Sequence, residues 1–207
     1  WIAAWGQVTE RSFERMTAKP DWGIESITCY DGRDHLVEIN KKITGAFGDL
    51  IHFNVLGREP APRKILLVAP MSGHYSTLLR STVNSLIIDS EIYVTDWHNA
   101  RDIPVSQGSF DIEDYTKYLI DYIRFLGPGI NVIAICQPAP LALVATAFLA
   151  QEKKDAQPKS LILMGGPIDP SAAPTEITEF GNKVNLEYLE QTVIQRVGFK
   201  YAGVGRQ

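Results

Sequence analysis

Four short apolar segments alternate with helical segments between residues 64 and 166, and this alternation constrains the fold more than any other feature of the chain. The predicted strands cover residues 65–69, 92–94, 132–135 and 161–164, and the predicted helices between them cover residues 75–88, 115–126 and 141–153. Continuous apolar runs are typical of buried strands, and strand–helix–strand order requires right-handed crossovers between parallel strands. The sequence therefore predicts the α/β class, with a mainly parallel sheet and helices on both faces.

The segments around this region predict additions to the same sheet. Extended segments are expected at residues 24–30, 36–39 and 50–56, with Asp31-Gly32 as a turn between the first two. A short amphipathic helix is predicted over the first ~20 residues, and another helix is predicted over residues 182–195. Asp111 is expected to cap the helix that follows it, and Gly127 to end that helix.

Composition and charge exclude several classes of partner. The 207 residues carry 20 Lys and Arg against 24 Asp and Glu, a net charge of −4, and no basic run, so nucleic acid is not expected as the main ligand. The longest apolar run, residues 141–150, is shorter than the roughly 20 residues that cross a bilayer. Cys29 and Cys136 form neither a disulfide scaffold nor a zinc spacing, so we expect a cytoplasmic protein without a metal or cofactor.

Cys136 is the strongest candidate for chemistry, because it lies where an apolar strand runs directly into a helix. In a nucleophile elbow this turn projects the side chain from the sheet, and the backbone N–H of the next residue, here Gln137, faces the developing oxyanion. A helix N-terminus also favours a thiolate. The alternative is a buried structural cysteine, which is the role expected of Cys29. Ala134 and Pro138 stand where an elbow usually has glycine.

The loop after the first apolar strand is predicted to supply the second oxyanion amide. Met71 is the favoured donor and Ser72 is the next candidate, although Ser72 could instead cap the following helix. His74 in the same loop is a candidate base, with a structural histidine as the alternative.

Two acidic positions follow other strands of the predicted sheet. Asp96 precedes His98 and Arg101, and we predict a solvated turn with an Asp–Arg pair there rather than a metal site. Asp169 could line the site and orient a histidine, but a turn with Pro170 is the favoured interpretation.

Four longer segments carry a resemblance to a known family. They are VAPMSGHYSTLLRSTV at 68–83, IYVTDWHNARDIPVSQGSFDIEDY at 92–115, VIAICQPAPL at 132–141 and LILMGGPIDP at 161–170. Together they resemble the intracellular poly(3-hydroxybutyrate) depolymerases, which are distantly related to the polyhydroxyalkanoate synthases. The resemblance implies an α/β-hydrolase fold, Cys136 as the nucleophile, and a polyhydroxyalkanoate polymer or hydroxybutyrate oligomers as substrate, on or near cytoplasmic storage granules. It also implies a triad Asp and His later in the chain.

The order of the histidines departs from that triad. In α/β hydrolases the nucleophile comes first, then the acid, then the histidine, yet every histidine here precedes Cys136: His35, His52, His74 and His98. The chain also begins with Trp1 rather than Met. We therefore expect a fragment, inactive by itself, in which residues 1–170 form the N-terminal part of an α/β-hydrolase core cut before its last strands and residues 171–207 begin a cap or lid.

Two other functions stay open from the sequence. A synthase-like acyltransferase would use the same thiol, although the synthase elbow normally keeps the flanking glycines that this chain lacks. A non-catalytic granule-associated protein is the second alternative, and it rests on the missing later histidine.

Overall fold

The computed structural model describes residues 18–71, 75–152 and 157–194, and the strands in these ranges form one seven-stranded sheet. In chain order they are β1 (Ser26–Thr28), β2 (Asp34–Thr44), β3 (Gly48–Val55), β4 (Arg63–Val68), β5 (Ser90–Trp97), β6 (Asn131–Ile135) and β7 (Ser160–Met164). Their order in space is β1-β2-β3-β5-β4-β6-β7. Strands β1, β2, β3 and β5 pair antiparallel, and β5, β4, β6 and β7 pair parallel. The predicted α/β fold is confirmed, with the first three strands forming an antiparallel extension.

Five α-helices lie in the described ranges: α1 (Arg80–Leu86), α2 (Ile112–Leu126), α3 (Ala139–Glu152), α4 (Glu176–Lys183) and α5 (Leu186–Thr192). A 3₁₀ turn, Ser76–Leu79, leads into α1. The capping prediction for α2 is confirmed, because the Asp111 carboxylate accepts from the backbone N–H groups of Glu113 and Asp114, and Gly127 ends the helix at φ 79°.

The helix predicted over residues 182–195 is confirmed over Leu186–Thr192 only, since the chain breaks between α4 and α5. Asn185 causes the break: its side-chain oxygen accepts from the backbone N–H of Tyr188 at 2.8 Å and so starts a new helix. The helix predicted over the first ~20 residues falls mostly on residues 1–17, outside the described ranges.

The connections place a topological switch point beside β4. From β4 the chain passes through α1 to β5 on one side, then returns through α2 to β6 on the other side and continues through α3 to β7. Because such crossovers are right-handed, α1 lies on one face while α2 and α3 pack together on the other. Open sheets of this kind bind ligands outside the carboxyl ends of the strands at the switch point, here between β4 and β6.

The core follows from this layering. Residues 65–69 are completely or almost completely buried, because helices cover both faces of the central strands. Strand β7 lies at one edge of the described sheet, and its Ile162 and Met164 are about half exposed, 46% and 49%. Within the described ranges every helix is too short or too polar to cross a bilayer.

A buried polar cluster ties the amino end of β5 to the loop before β4. Glu91 accepts from His52 Nε2 at 2.8 Å, from Arg58 Nη2 at 3.3 Å and from the backbone N–H of Ala61 at 2.9 Å. The His52 ring stacks on Tyr93 with ring centroids 4.4 Å apart. Burial by itself raises the pKa of Glu91, but the hydrogen bonds from Ala61 and His52 outweigh burial and leave its pKa below the ordinary value.

This cluster predicts a pH dependence of stability. Burial lowers the pKa of His52, and its hydrogen bond with Glu91 offsets only part of the effect. The unfolded chain therefore takes up a proton on His52 at a higher pH than the folded protein does, so its contribution to stability is full above about pH 6.5 and is lost as the pH falls. We expect urea unfolding free energies to decrease more steeply from pH 7 to pH 5 in the wild type than in His52→Phe, which keeps a ring beside Tyr93. Equal slopes would contradict this assignment.

Candidate active site

Cys136 forms the turn between β6 and α3, and it is the one non-glycine residue in the described ranges with a positive φ, 67°. Its side chain is exposed, whereas Cys29 is buried. A left-handed backbone at a residue with a Cβ is strained by about 1–2 kcal/mol, so surrounding contacts must hold it. This strand–turn–helix geometry is that of a nucleophile elbow, in which the side chain projects from the top of the sheet.

The neighbouring edge strand holds the elbow. The backbone N–H of Cys136 donates to the carbonyl of Met164, the last residue of β7, at 2.7 Å, and the carbonyl of Cys136 accepts from Ala139 at 3.1 Å. A Cβ added at Gly166 would overlap the Ala139 side chain and lie 2.5 Å from the Cys136 carbonyl oxygen. The close approach at the elbow is therefore made possible by Gly166, after β7, while Ala134 and Pro138 occupy the usual glycine positions. The sequence signal was the Gly165-Gly166 pair that closes β7.

Buried hydrogen bonds fix the start of the loop after β4. The Ala69 backbone N–H donates to Thr95 Oγ1 at 2.9 Å, and the Ala69 carbonyl accepts from Trp97 Nε1 at 2.9 Å and from Tyr115 Oη at 3.0 Å. Burial raises the pKa of Tyr115 strongly, so its hydroxyl stays a donor. Nothing in the sequence pattern identified these three partners, which come from β5 and α2.

The structure brings together Met71 and Gln137, the two residues predicted to supply oxyanion amides. The backbone N–H of Met71 donates to the side-chain Oε1 of Gln137 at 3.1 Å. The sequence predicted a role for the backbone amides of both residues, whereas this contact uses the Gln137 side chain. Its carboxamide oxygen, which is chemically similar to an ester carbonyl, already accepts from the backbone N–H of Met71. Ser72 and His74 lie outside the described residues. The 3₁₀ turn after this loop has Tyr75 at its N-cap position without a side-chain cap bond.

Asp169 forms a turn, which is the interpretation that the sequence favours for this residue. Its Oδ1 accepts from the hydroxyl and backbone N–H of Ser171 and from the backbone N–H of Ala172. The hydrogen bonds from Ser171 lower the pKa of this exposed carboxyl. Oδ1 is therefore used within its own turn.

The predicted Asp96–Arg101 pair is wrong. Asp96 is buried and bonds to the Lys19 ammonium and the Ser76 hydroxyl, while Arg101 pairs with Asp102 at 3.5 Å. The physical reason is that β5 extends through Trp97, so Asp96 lies inside a central strand and not in a solvated turn.

A second buried carboxylate, Asp49, lies opposite Asp96 in the register of β3 and β5. It pairs with Lys41 Nζ at 2.6 Å and with His98 Nε2 at 3.1 Å. Burial alone raises the pKa of Asp49, but hydrogen bonds from Lys41 and His98 outweigh it and lower the pKa. His, Cys, Asp and Glu side chains in the described part of the chain form no group of three that could hold a metal ion.

The packing at Gly166 generates a first prediction for this site. Gly166→Ala should destabilise the protein by about 2 kcal/mol or more, because neither contacting group is the end of a flexible side chain. The matched control is Gly181→Ala in α4, where an added Cβ meets nothing within 4 Å and alanine favours the helix by roughly 0.5–1 kcal/mol. Thermal and urea unfolding measure both changes. Equal effects at the two positions would contradict the close approach.

The backbone at Cys136 generates a second prediction. Cys136→Gly should be more stable than Cys136→Ala by about 1 kcal/mol, because glycine adopts a positive φ without the strain that a Cβ introduces. At Ala147, an exposed position inside α3, replacement by glycine should destabilise by a similar amount. Urea unfolding free energies test both comparisons. An alanine variant at position 136 as stable as the glycine variant would show that the turn is not strained.

Solved structures similar to this one include several esterases, all matched at low identity. A thermostable esterase from Pseudomonas putida is 13% identical with a TM-score of 0.48, covering 86% of this chain and 56% of its own. A Pyrobaculum calidifontis esterase is 19% identical with a TM-score of 0.41, covering 67% and 47%. The Francisella virulence factor BioJ is 13% identical with a TM-score of 0.44, covering 91% and 59%.

The remaining comparisons concern the length of the chain and the family that its sequence matches. The chain spans about half the length of the first solved structures that it matches, 48–56% of theirs. No curated protein sequence matches it. Residues 165–207, which begin directly after β7, match the family model described as PHB de-polymerase C-terminus. This match agrees with the family resemblance that the sequence segments carry, and it covers the C-terminal 43 of the 207 residues.

Proposed function

We propose that this protein hydrolyses the ester bonds of poly(3-hydroxybutyrate) or a related polyhydroxyalkanoate through the thiolate of Cys136. The family segment supports carboxylic ester hydrolysis as the general reaction. The observation that carries the finer proposal is an exposed cysteine at positive φ, placed between a strand and a helix beside the switch point of the sheet. Free cysteines that serve only packing are usually buried, as Cys29 is.

The proposed reaction passes through an acyl-thioester on Cys136. A base takes the proton of the Cys136 thiol, and the sulfur attacks the ester carbonyl carbon to give a tetrahedral oxyanion. Collapse of this intermediate breaks the carbon–oxygen bond, forms an acyl-thioester, and releases the alcohol end of the chain with the proton held by the base. Water, deprotonated by the same base, then attacks the thioester and frees the acid and the thiol.

The oxyanion is held by the backbone N–H groups of Gln137 and Met71 in this proposal. Because the Gln137 side chain now accepts from Met71, the substrate carbonyl has to displace that carboxamide oxygen as it binds. The N-terminus of α3 begins three residues after Cys136, so the positive end of the helix dipole lies close to the turn.

Three of the four histidines have hydrogen-bond partners elsewhere in the described residues. His35 bonds to the Leu56 carbonyl and Asp31, His52 bonds to Glu91, and His98 bonds to Asp49 and the Ala46 carbonyl. The proposal therefore takes the triad Asp and His from outside these 207 residues, as the resemblance implies. His74, in the loop that carries Met71, is the alternative base.

Residues 171–207 are proposed to begin a cap over the core formed by residues 1–170. In the described part of this segment, α4 and α5 contain no buried residue. They expose large apolar side chains that a lid could place against polymer or protein, namely Ile177, Phe180, Leu186 and Tyr188.

The proposed nucleophile is tested in the full-length protein by Cys136→Ala. We expect hydrolysis of amorphous poly(3-hydroxybutyrate) to fall by about 10³-fold or more, since loss of a nucleophile removes the covalent route, while circular dichroism stays unchanged. Cys29→Ala is the matched control and should keep its activity. Unchanged turnover in Cys136→Ala would end the proposal.

Trapping of the acyl-enzyme gives a second readout of the same proposal. Brief incubation with p-nitrophenyl butyrate should add one butyryl group to the wild type and to Cys29→Ala, but none to Cys136→Ala, as measured by intact mass. Loss of acylation in His74→Ala would make His74 the base, and retention would favour a histidine outside this chain.

A further inference from the structure

A cavity of about 730 Å³ opens at the carboxyl end of β5, two strands away from Cys136. Its apolar walls include Trp97, Ile103 and Pro104, and its polar lining includes Lys19, Asn99 and Gln107. This size and this mixture of apolar walls with a few polar groups are typical of small-molecule sites. The reaction proposed for Cys136 makes no use of this cavity.

The polar lining of the cavity is rich in hydrogen-bond donors. Lys19 has three ammonium hydrogens and Asn99 and Gln107 each carry an amide NH₂, of which Asn99 donates to Tyr75 at 3.3 Å. The nearby carboxylates face cations of the protein: Asp96 pairs with Lys19. Asp102, which itself lines the cavity, likewise pairs with Arg101. The cavity therefore offers donors and apolar surface more than acceptors.

A polyester chain has the complementary chemistry. Each hydroxyacyl unit presents a carbonyl oxygen and an ester oxygen, which accept hydrogen bonds, and methyl or methylene groups, which pack on apolar walls. Apart from its hydroxyl end, the chain has no donor to leave unsatisfied against this lining.

The distance from the elbow suits the same ligand. Strands β6 and β5 are separated by β4, two strand spacings or about 10 Å. A hydroxybutyrate unit has four backbone bonds of about 1.5 Å each, so about two extended units span this distance. Described residues lie at both ends of this distance: Met71 contacts Gln137 beside the elbow, and Tyr75 lines the cavity.

We propose that this cavity is a remote subsite that binds a hydroxyacyl ester unit of the substrate, about two units from the bond that Cys136 attacks. The inference rests on the proposed function for the identity of the ligand. It assigns to Lys19, Asn99 and Gln107 the binding of ester carbonyl oxygens, and to Trp97 and Ile103 the packing of the chain's methyl groups.

Binding is tested without turnover in full-length Cys136→Ala protein by isothermal titration calorimetry. The probe is the linear (R)-3-hydroxybutyrate tetramer, as its methyl ester and as its free acid. We expect both forms to bind, and Ala46→Phe, which fills the cavity from its lining, to weaken binding by about 10-fold. Gln107→Leu, at an exposed position where folding is not at risk, should weaken binding in the same direction. The control is Ala150→Phe, at an exposed position of α3 that does not line the cavity, and this variant should bind as tightly as the parent.

Kinetics in the protein with Cys136 intact give the second test. The ratio of kcat/KM for the tetramer to that for the dimer should fall by about 10-fold in Ala46→Phe, with hydrolysis of the dimer and of p-nitrophenyl butyrate unchanged, because these esters are too short to reach the cavity.

Three results would overturn the subsite: no tetramer binding, unchanged binding in both Ala46→Phe and Gln107→Leu, or binding of the free acid alone, which would mark an anion site. Hydrolysis by Cys136→Ala would instead overturn the proposed function and leave the calorimetric result for the cavity standing.

Discussion

The close approach between the turn at Cys136 and the chain leaving β7 is the constraint on which the candidate site depends. A left-handed cysteine persists only where the surrounding structure holds it, and here the hydrogen bond to Met164 and the bare backbone of Gly166 do so. Pairing of β7 with β6 therefore affects the candidate site directly. It sets the backbone conformation that exposes the sulfur of Cys136 at the end of β6.

The other side of the site is fixed by a different set of contacts. Ala69 has both of its backbone polar groups satisfied by buried partners, Thr95, Trp97 and Tyr115, so the chain leaves β4 in one direction. The two loops then meet through Met71 and Gln137. The oxyanion donors in our proposal are thus held in place before substrate arrives, and the Gln137 carboxamide occupies one of them in the meantime.

The antiparallel part of the sheet serves a different purpose at the same edge. Asp49 and Asp96 bring two buried negative charges next to one another, and Lys41, His98 and Lys19 compensate them. This arrangement places cations and amide donors around the cavity beside Trp97. In our proposal Lys19, which Asp96 holds, binds the ester units of the polymer together with Asn99 and Gln107.

The sequence by itself determined the layered α/β arrangement, the turn at Cys136, the cap at Asp111 and the end of α2 at Gly127, because each depends on the periodicity or backbone preference of adjacent residues. It also placed Met71 and Gln137 directly after two predicted strands, while the structure made those strands neighbours. Only the tertiary structure decided that Asp96 pairs with Lys19 and not Arg101, that Gly166 replaces the flanking glycines of the elbow, and that the Gln137 side chain reaches Met71. These contacts join residues that are distant in the chain, and the register between strands, which no local pattern encodes, determines which of them meet.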